Sequence, residues 1–273
     1  MEETFCTGRV AVTEISQGPI GGIPEPSGTV DTLPTRHWTI RALLGYALKL
    51  VLLTIPLAIA VALMLRLSGI GGPLLPDPRP GQPISDLDLL SLPFLSAAQL
   101  LASWPLVFKW TRRHERDPRG FLGLRSADRS EVAKCVGLTL AVAIGFTALL
   151  EVFGFVETGD EIYVRYFAAK RFEIALALGI IVLAPAVEEF LFRGFLLRGL
   201  QAVGASTWTS AILSAAGWSV LHFTYSWSSI AVIFLVGLVL AMFRLRTGSL
   251  VPSLAGHMAL NAVAVADLMN RVG

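Results

Sequence analysis

Residues 174–194 read IALALGIIVLAPAVEEFLFRG. No charged side chain occurs from Ile174 to Val187, and then Glu188, Glu189 and Arg193 arrive within the same apolar helical stretch. A carboxylate at the centre of a membrane-spanning helix costs about 2.5–3.5 kcal/mol even on the lenient insertion scale. Two carboxylates and an arginine are therefore functional-site candidates, and their partners elsewhere in the chain decide the chemistry.

The whole chain fits a bilayer. Of 273 residues, 54% are hydrophobic and 15% charged, with a mean hydropathy of +0.66. Soluble domains run at about 45–50% and about 25%. The fold class is all-α, a polytopic transmembrane helical bundle; at about 20 residues per span it holds six to eight helices. Residues 1–37, rich in Gly, Pro, Ser and Thr without apolar periodicity, read as a disordered tail. They lack the charged start and apolar core of a secretory signal. Residues 38–172 form the N-terminal membrane helices and 173–273 the catalytic membrane core.

Charge is unevenly placed. Lys109, Arg112, Arg113, Arg116, Arg119, Arg125, Arg129 and Lys134 crowd a basic loop over 109–134. Positive loops stay in the cytoplasm, which puts the N-terminus there as well. No aromatic–basic interleaving accompanies the cluster, so no nucleic-acid partner is expected. Cys6 and Cys135 are too far apart to suggest a disulfide framework or a metal-ligand spacing.

Hydropathy predicts spans near 40–65 (interrupted by Pro56), 89–110, 132–153, 174–200 and 250–267. Between Gly199 and Phe243 there is no Asp, Glu, Lys or Arg, a length that fits two helices broken near Thr224–Trp227. The expected count is seven, with an external C-terminus. A Pro/Gly-rich loop over 69–85 and a mixed-charge connection (Glu157, Asp160, Glu161, Arg165, Lys170, Arg171) join the N-terminal spans. The small residues Ala211/Ala215 and Gly237/Ala241 allow close helix approach. Trp104, Trp110, Trp208 and Trp227 read as interfacial anchors.

Of four histidines, His37 and His114 flank spans and are expected to be solvated, whereas His222 and His257 lie in apolar helices. Arg193 follows Glu189 by four residues, so the two share a face and can pair. Glu188 is turned about 100° away. His257 and Asn261, also four apart, point the same way. Depths of about 16–24 Å from the helix ends, at 1.5 Å per residue, allow one pocket to collect Glu188, His222 and Asn261. A buried carboxylate beside an imidazole can activate water. A second imidazole and an amide can donate to an oxyanion. The Glu189–Arg193 pair would orient the site or grip substrate. No Gly-x-Ser-x-Gly elbow or pocket cysteine suggests a covalent nucleophile.

Glu188-Glu189-Phe190-Leu191-Phe192-Arg193-Gly194, then Trp218 with His222 four residues on, then Thr247-Gly248-Ser249-Leu250 and His257-x-x-x-Asn261, resemble the CPBP family over about 174–265. This is the family of CAAX prenyl endopeptidases and bacteriocin-processing or immunity proteins, also called Abi. The resemblance implies an intramembrane endopeptidase in which Glu188 and His222 activate water, and His257 and Asn261 form the oxyanion hole. Glu189 and Arg193 then organise substrate or site. Trp218 stands where the family usually shows Phe, a departure expected to alter pocket shape and not chemistry. No cofactor is expected; the alternative is Zn at Glu188, His222 and His257, a ligand set zinc accepts. The implied substrate is a membrane-associated protein or peptide, prenylated or a leader or bacteriocin-like peptide, cut near the cytoplasmic half of a prokaryotic plasma membrane. Two other readings stand beside it: a catalytically silent membrane binding or immunity protein, and an ion-coupled transporter. Clustering of the polar residues in the C-terminal half disfavours a transporter built of matching repeats.

Overall fold

The computed structural model describes residues 37–70, 84–155 and 161–273. The tail over 1–36 with Cys6, residues 71–83 of the Pro/Gly-rich loop, and Glu157 and Asp160 lie outside the described residues. All regular structure among the described residues is helical. The helices are α1 Ile40–Leu67, α2 Asp86–Thr111, the short α3 Pro118–Leu122, α4 Arg129–Val152 and α5 Glu161–Ala168. They continue with α6 Glu173–Ala202, α7 Thr207–Val220, α8 Trp227–Thr247 and α9 Val251–Val272.

Six of these (α1, α2, α4, α6, α8 and α9) are long and apolar enough to cross a membrane. With leucines and isoleucines such as Leu44, Leu48, Ile55 and Ile59 facing outward from α1, this is an integral multi-pass membrane protein. The seventh expected span is α7, and it falls short. Its 14 residues rise about 21 Å, against a hydrocarbon core of about 30 Å. The break at Thr224–Trp227 is present, with Ser226 capping α8 by accepting from the Ser229 amide. The structure nevertheless ends α7 at Val220 and leaves His222 in the turn beyond it, so His222 is not a helical residue.

Small residues set how α7 and α8 meet. Ala211 shares a cluster with Ala241. A Cβ added to Gly237 would lie 3.0 Å from Ala215 Cβ and 3.1 Å from the Trp218 ring. The pairs 211/241 and 215/237 run in opposite directions, giving an antiparallel hairpin with backbones in close approach. Gly256 of α9 sits as tightly against Thr139, Cys135 and Leu240, drawing α9 onto α4 and α8.

The basic segment is more than a loop. Asp117 caps α3, Gly123 ends it in the left-handed region at φ 78°, and the α8–α9 turn docks on it. Arg244 donates to Phe121 O at 2.7 Å, Ser249 Oγ to Arg125 O at 2.5 Å, and Leu250 N to Gly123 O at 2.9 Å. The Thr247–Leu250 motif is thus a structural clasp. His114 is buried, contrary to its expected solvation: its ring stacks on Trp38 at 4.3 Å and its Nε2 lies 3.3 Å from the Tyr46 hydroxyl. His37 is exposed. Trp110 is also a core residue, stacked on Tyr46, whereas Trp104, Trp208 and Trp227 remain outward-facing. The mixed-charge connection contains α5, which buries Tyr166 and Phe167 against the ends of α6 and α9.

Enlarging Gly237 to leucine should destabilise the protein by about 1–3 kcal/mol through overpacking against Ala215 and Trp218. A thermal melt of the purified chain in detergent measures it; an unchanged midpoint would contradict this packing.

Candidate active site

The site is built on α6, whose backbone is unusual where the polar residues occur. Regular α-helix is interrupted by wider, π-type turns at Gly179–Leu183 and again at Glu189–Leu196, with Pro185 and Glu188 between them. Such widened turns are frequently found at functional sites. Gly179 allows the first of them to press on α2, where an added Cβ would come 3.0 Å from Pro93 Cβ.

The two glutamates part company as helix rotation requires. Glu188 keeps a quarter of its side chain exposed and faces a cavity of about 630 Å³. Glu189 is 1% exposed and lies behind the cavity wall. There its Oε1 accepts from Arg193 Nη1 at 2.9 Å and pairs with His257 Nδ1 at 3.0 Å. Arg193, fully buried, also donates to Gly237 O at 3.2 Å, on the backbone that α8's small residues bring within reach. Among the described residues Glu189 Oε2 and Arg193 Nε have no hydrogen-bond partner. The structure therefore joins Glu189 and Arg193 to the site from beneath and keeps them out of the cavity lining.

His257 connects the two layers. A carboxylate only accepts, so Nδ1–H donates to Glu189, and Nε2 is turned to Glu188 Oε2 at 3.8 Å. His222 is held by its own helix end, with Nδ1 at 3.1 Å from Trp218 O, leaving Nε2 free of that contact. Asn261, one turn after His257, donates Nδ2–H to Ile180 O at 2.7 Å. Glu188, His222, His257 and Asn261 all line the one cavity.

Trp218 is the residue that sequence reasoning undervalued. Its indole N–H donates to Glu188 Oε2 at 2.5 Å, a bond phenylalanine cannot make. Its ring carries the Arg193 guanidinium at 4.4 Å and meets His257 and His222 edge-on at 4.9 and 5.4 Å. The departure from Phe thus reaches the proposed base itself, beyond the shape of the pocket. A signal existed, since a buried tryptophan N–H generally needs an acceptor and an intramembrane carboxylate is a ready one.

Glu188, His222 and His257, the alternative zinc set, all line the cavity. Among the described residues no three His, Cys, Asp or Glu side chains converge as metal ligands.

The cavity runs from these residues towards Glu151, Tyr163, Ser228, Asp267 and Arg271. These lie at the end of α4, in α5, at the start of α8 and at the end of α9, which is the end of the bundle opposite the basic segment.

The fold is thus a helical membrane bundle with a largely apolar cavity among its C-terminal helices, into which four polar side chains are set. Residues 170–263 match the family model described as Rce1-like, type II CAAX prenyl endopeptidase Rce1-like. That segment, which holds all six polar site residues, is similar to the CAAX protease family. No curated protein and no solved structure matched the chain.

Two outcomes follow from the separation of the layers. Removing one partner of a buried ion pair costs about 3–5 kcal/mol, so Glu189→Gln or Arg193→Met should lower the melting midpoint markedly while Glu188→Gln leaves it nearly unchanged; equal midpoints would contradict the layering. Trp218→Phe, deleting a hydrogen bond to a charged group, should slow hydrolysis about tenfold or more with little loss of stability, measured as single-turnover cleavage beside a melt.

Proposed function

We propose that the protein is an intramembrane endopeptidase that hydrolyses a peptide bond with water activated by Glu188, without a metal. The observation that carries this reading is the convergence of Glu188, His222, His257 and Asn261 on one cavity, drawn from three separate stretches of chain. A scattered set of structural histidines would have no reason to share it.

The steps use these groups as follows. Glu188 takes a proton from a water, and the resulting hydroxide oxygen forms a bond to the peptide carbonyl carbon. His222, whose Nε2 is free of the Trp218 contact, assists in holding that water. The carbonyl oxygen becomes an oxyanion, which accepts from Asn261 Nδ2–H and from His257 Nε2–H. Because Nδ1–H is already given to Glu189, Nε2 carries a proton only in the imidazolium form. Collapse breaks the C–N bond, and the proton held by Glu188 passes to the departing amine. Glu189 and Arg193 are positioning residues here. Preorganised donors of this kind are typically worth about 10²–10³ in turnover each.

The substrate is a membrane-associated protein or peptide whose scissile segment reaches Glu188 from the end of the bundle away from the basic segment. The cavity's mostly apolar wall, including Ile144, Val232, Ile233 and Leu260, suits an apolar or lipid-bearing peptide. A prenylated protein and a leader or bacteriocin-like peptide both meet that description, and a prokaryotic plasma membrane is the proposed setting.

Comparing protein termini in cells that express wild type or Glu188→Gln at matched membrane levels tests this directly. New termini confined to wild type are expected; identical profiles from two folded proteins would overturn the peptidase reading in favour of a silent binding protein. On a substrate so found, 1,10-phenanthroline should leave turnover unchanged. Loss of turnover restored by added zinc would overturn the metal-free mechanism.

A further inference from the structure

We propose that Pro185 is a positioning residue: by withholding a backbone N–H it leaves the Ile180 carbonyl open, and that carbonyl holds the Asn261 amide at the cavity. In the widened turn of α6 the Ala184 N–H donates to Gly179 O, five residues back. Continued by one residue, the same register assigns Ile180 O to the N–H of residue 185. That residue is proline, which has none. Ile180 is half-buried at the cavity edge, and a carbonyl there that its own helix leaves open takes a donor within reach. It finds one 81 positions along the chain, in the side chain of Asn261 at 2.7 Å.

The consequence for Asn261 is orientational. A carbonyl oxygen only accepts, so the NH₂ end of the amide must face Ile180, and the ambiguity of an amide's two ends is removed. One N–H is used in this way. The second N–H remains for the cavity that Asn261 lines, one turn from His257 on the same helix. Pro185 is itself buried, and Gly179 at the head of the turn packs on Pro93, so the widened backbone is held from two sides. This deepens the proposed function, because the fixed N–H is the one assigned there to the oxyanion; the Pro185–Ile180–Asn261 contact stands on geometry alone.

Asn261 and Asn270 are the only asparagines in the chain. Full-length protein labelled with ¹⁵N in the asparagine side chains and held in detergent micelles therefore gives two pairs of amide signals, assigned with Asn270→Asp. One Asn261 proton is expected to exchange slowly with solvent. In Pro185→Ala the new N–H competes for Ile180 O, so that exchange should quicken about tenfold and the proton shift upfield. A melt supplies an independent arm: Asn261→Leu should lower the midpoint by orphaning the carbonyl, and adding Pro185→Ala should restore part of the loss. Unchanged Asn261 signals in folded Pro185→Ala, or a double variant no more stable than Asn261→Leu, would overturn the proposal. On a cleavable substrate, a lower kcat at unchanged KM in Pro185→Ala is expected. Altered amide signals with unaltered turnover would support the contact while overturning the oxyanion role of Asn261.

Discussion

The arrangement of the C-terminal core depends on one buried charge network, Arg193–Glu189–His257. An ion pair shut away from water carries a desolvation cost that close geometry and further hydrogen bonds offset. Here a single oxygen, Glu189 Oε1, serves both Arg193 and His257, and Arg193 reaches Gly237 O on a third helix. The network ties α6 to α9 and α8 at one point. Displacing any of these helices would strand a charge, so their relative positions, and with them the position of His257 over the cavity, are fixed more firmly than apolar packing alone would fix them.

Backbone irregularity does the complementary work. Near Pro185 the Asn261 amide from α9 donates to Ile180 O in the first π-type turn of α6. The small residues of α7, α8 and α9 let backbones approach so that short polar reaches, such as Arg193 to Gly237 O, become possible. At the other end of the bundle the Thr247–Leu250 turn clasps α3 through Arg244, Ser249 and Leu250, which keeps the start of α9 in register with α4.

Much of this was legible in the residues. The helical class, the i, i+4 pairing of Glu189 with Arg193, and the shared face of His257 and Asn261 follow from helix periodicity, which is a local property. The spacing of Ala211/Ala215 and of Gly237/Ala241 marked places of close helix approach, but not that the two pairs meet each other or that the helices run antiparallel. Other features were not legible. The length of α7 depends on where a turn starts, and hydropathy does not mark that in a stretch apolar on both sides. His114 read as solvated and Trp110 as an interfacial anchor; both are buried because Trp38, just before α1, and Tyr46, within it, pack on them from far away in the sequence.

By itself the sequence determined that this chain lives in a bilayer and that its six polar residues carry a cost only a site would justify, because hydropathy and the price of burying charge are set residue by residue. Tertiary structure decided the division of labour among them. It made Glu188 a cavity residue and Glu189 a foundation, gave Trp218 a bond to Glu188, sent the Asn261 amide to Ile180 O, and led the cavity away from the basic segment. Each of these turns on which helix faces which, and that is fixed by close packing and paired charges over long sequence separations, where local periodicity has no reach.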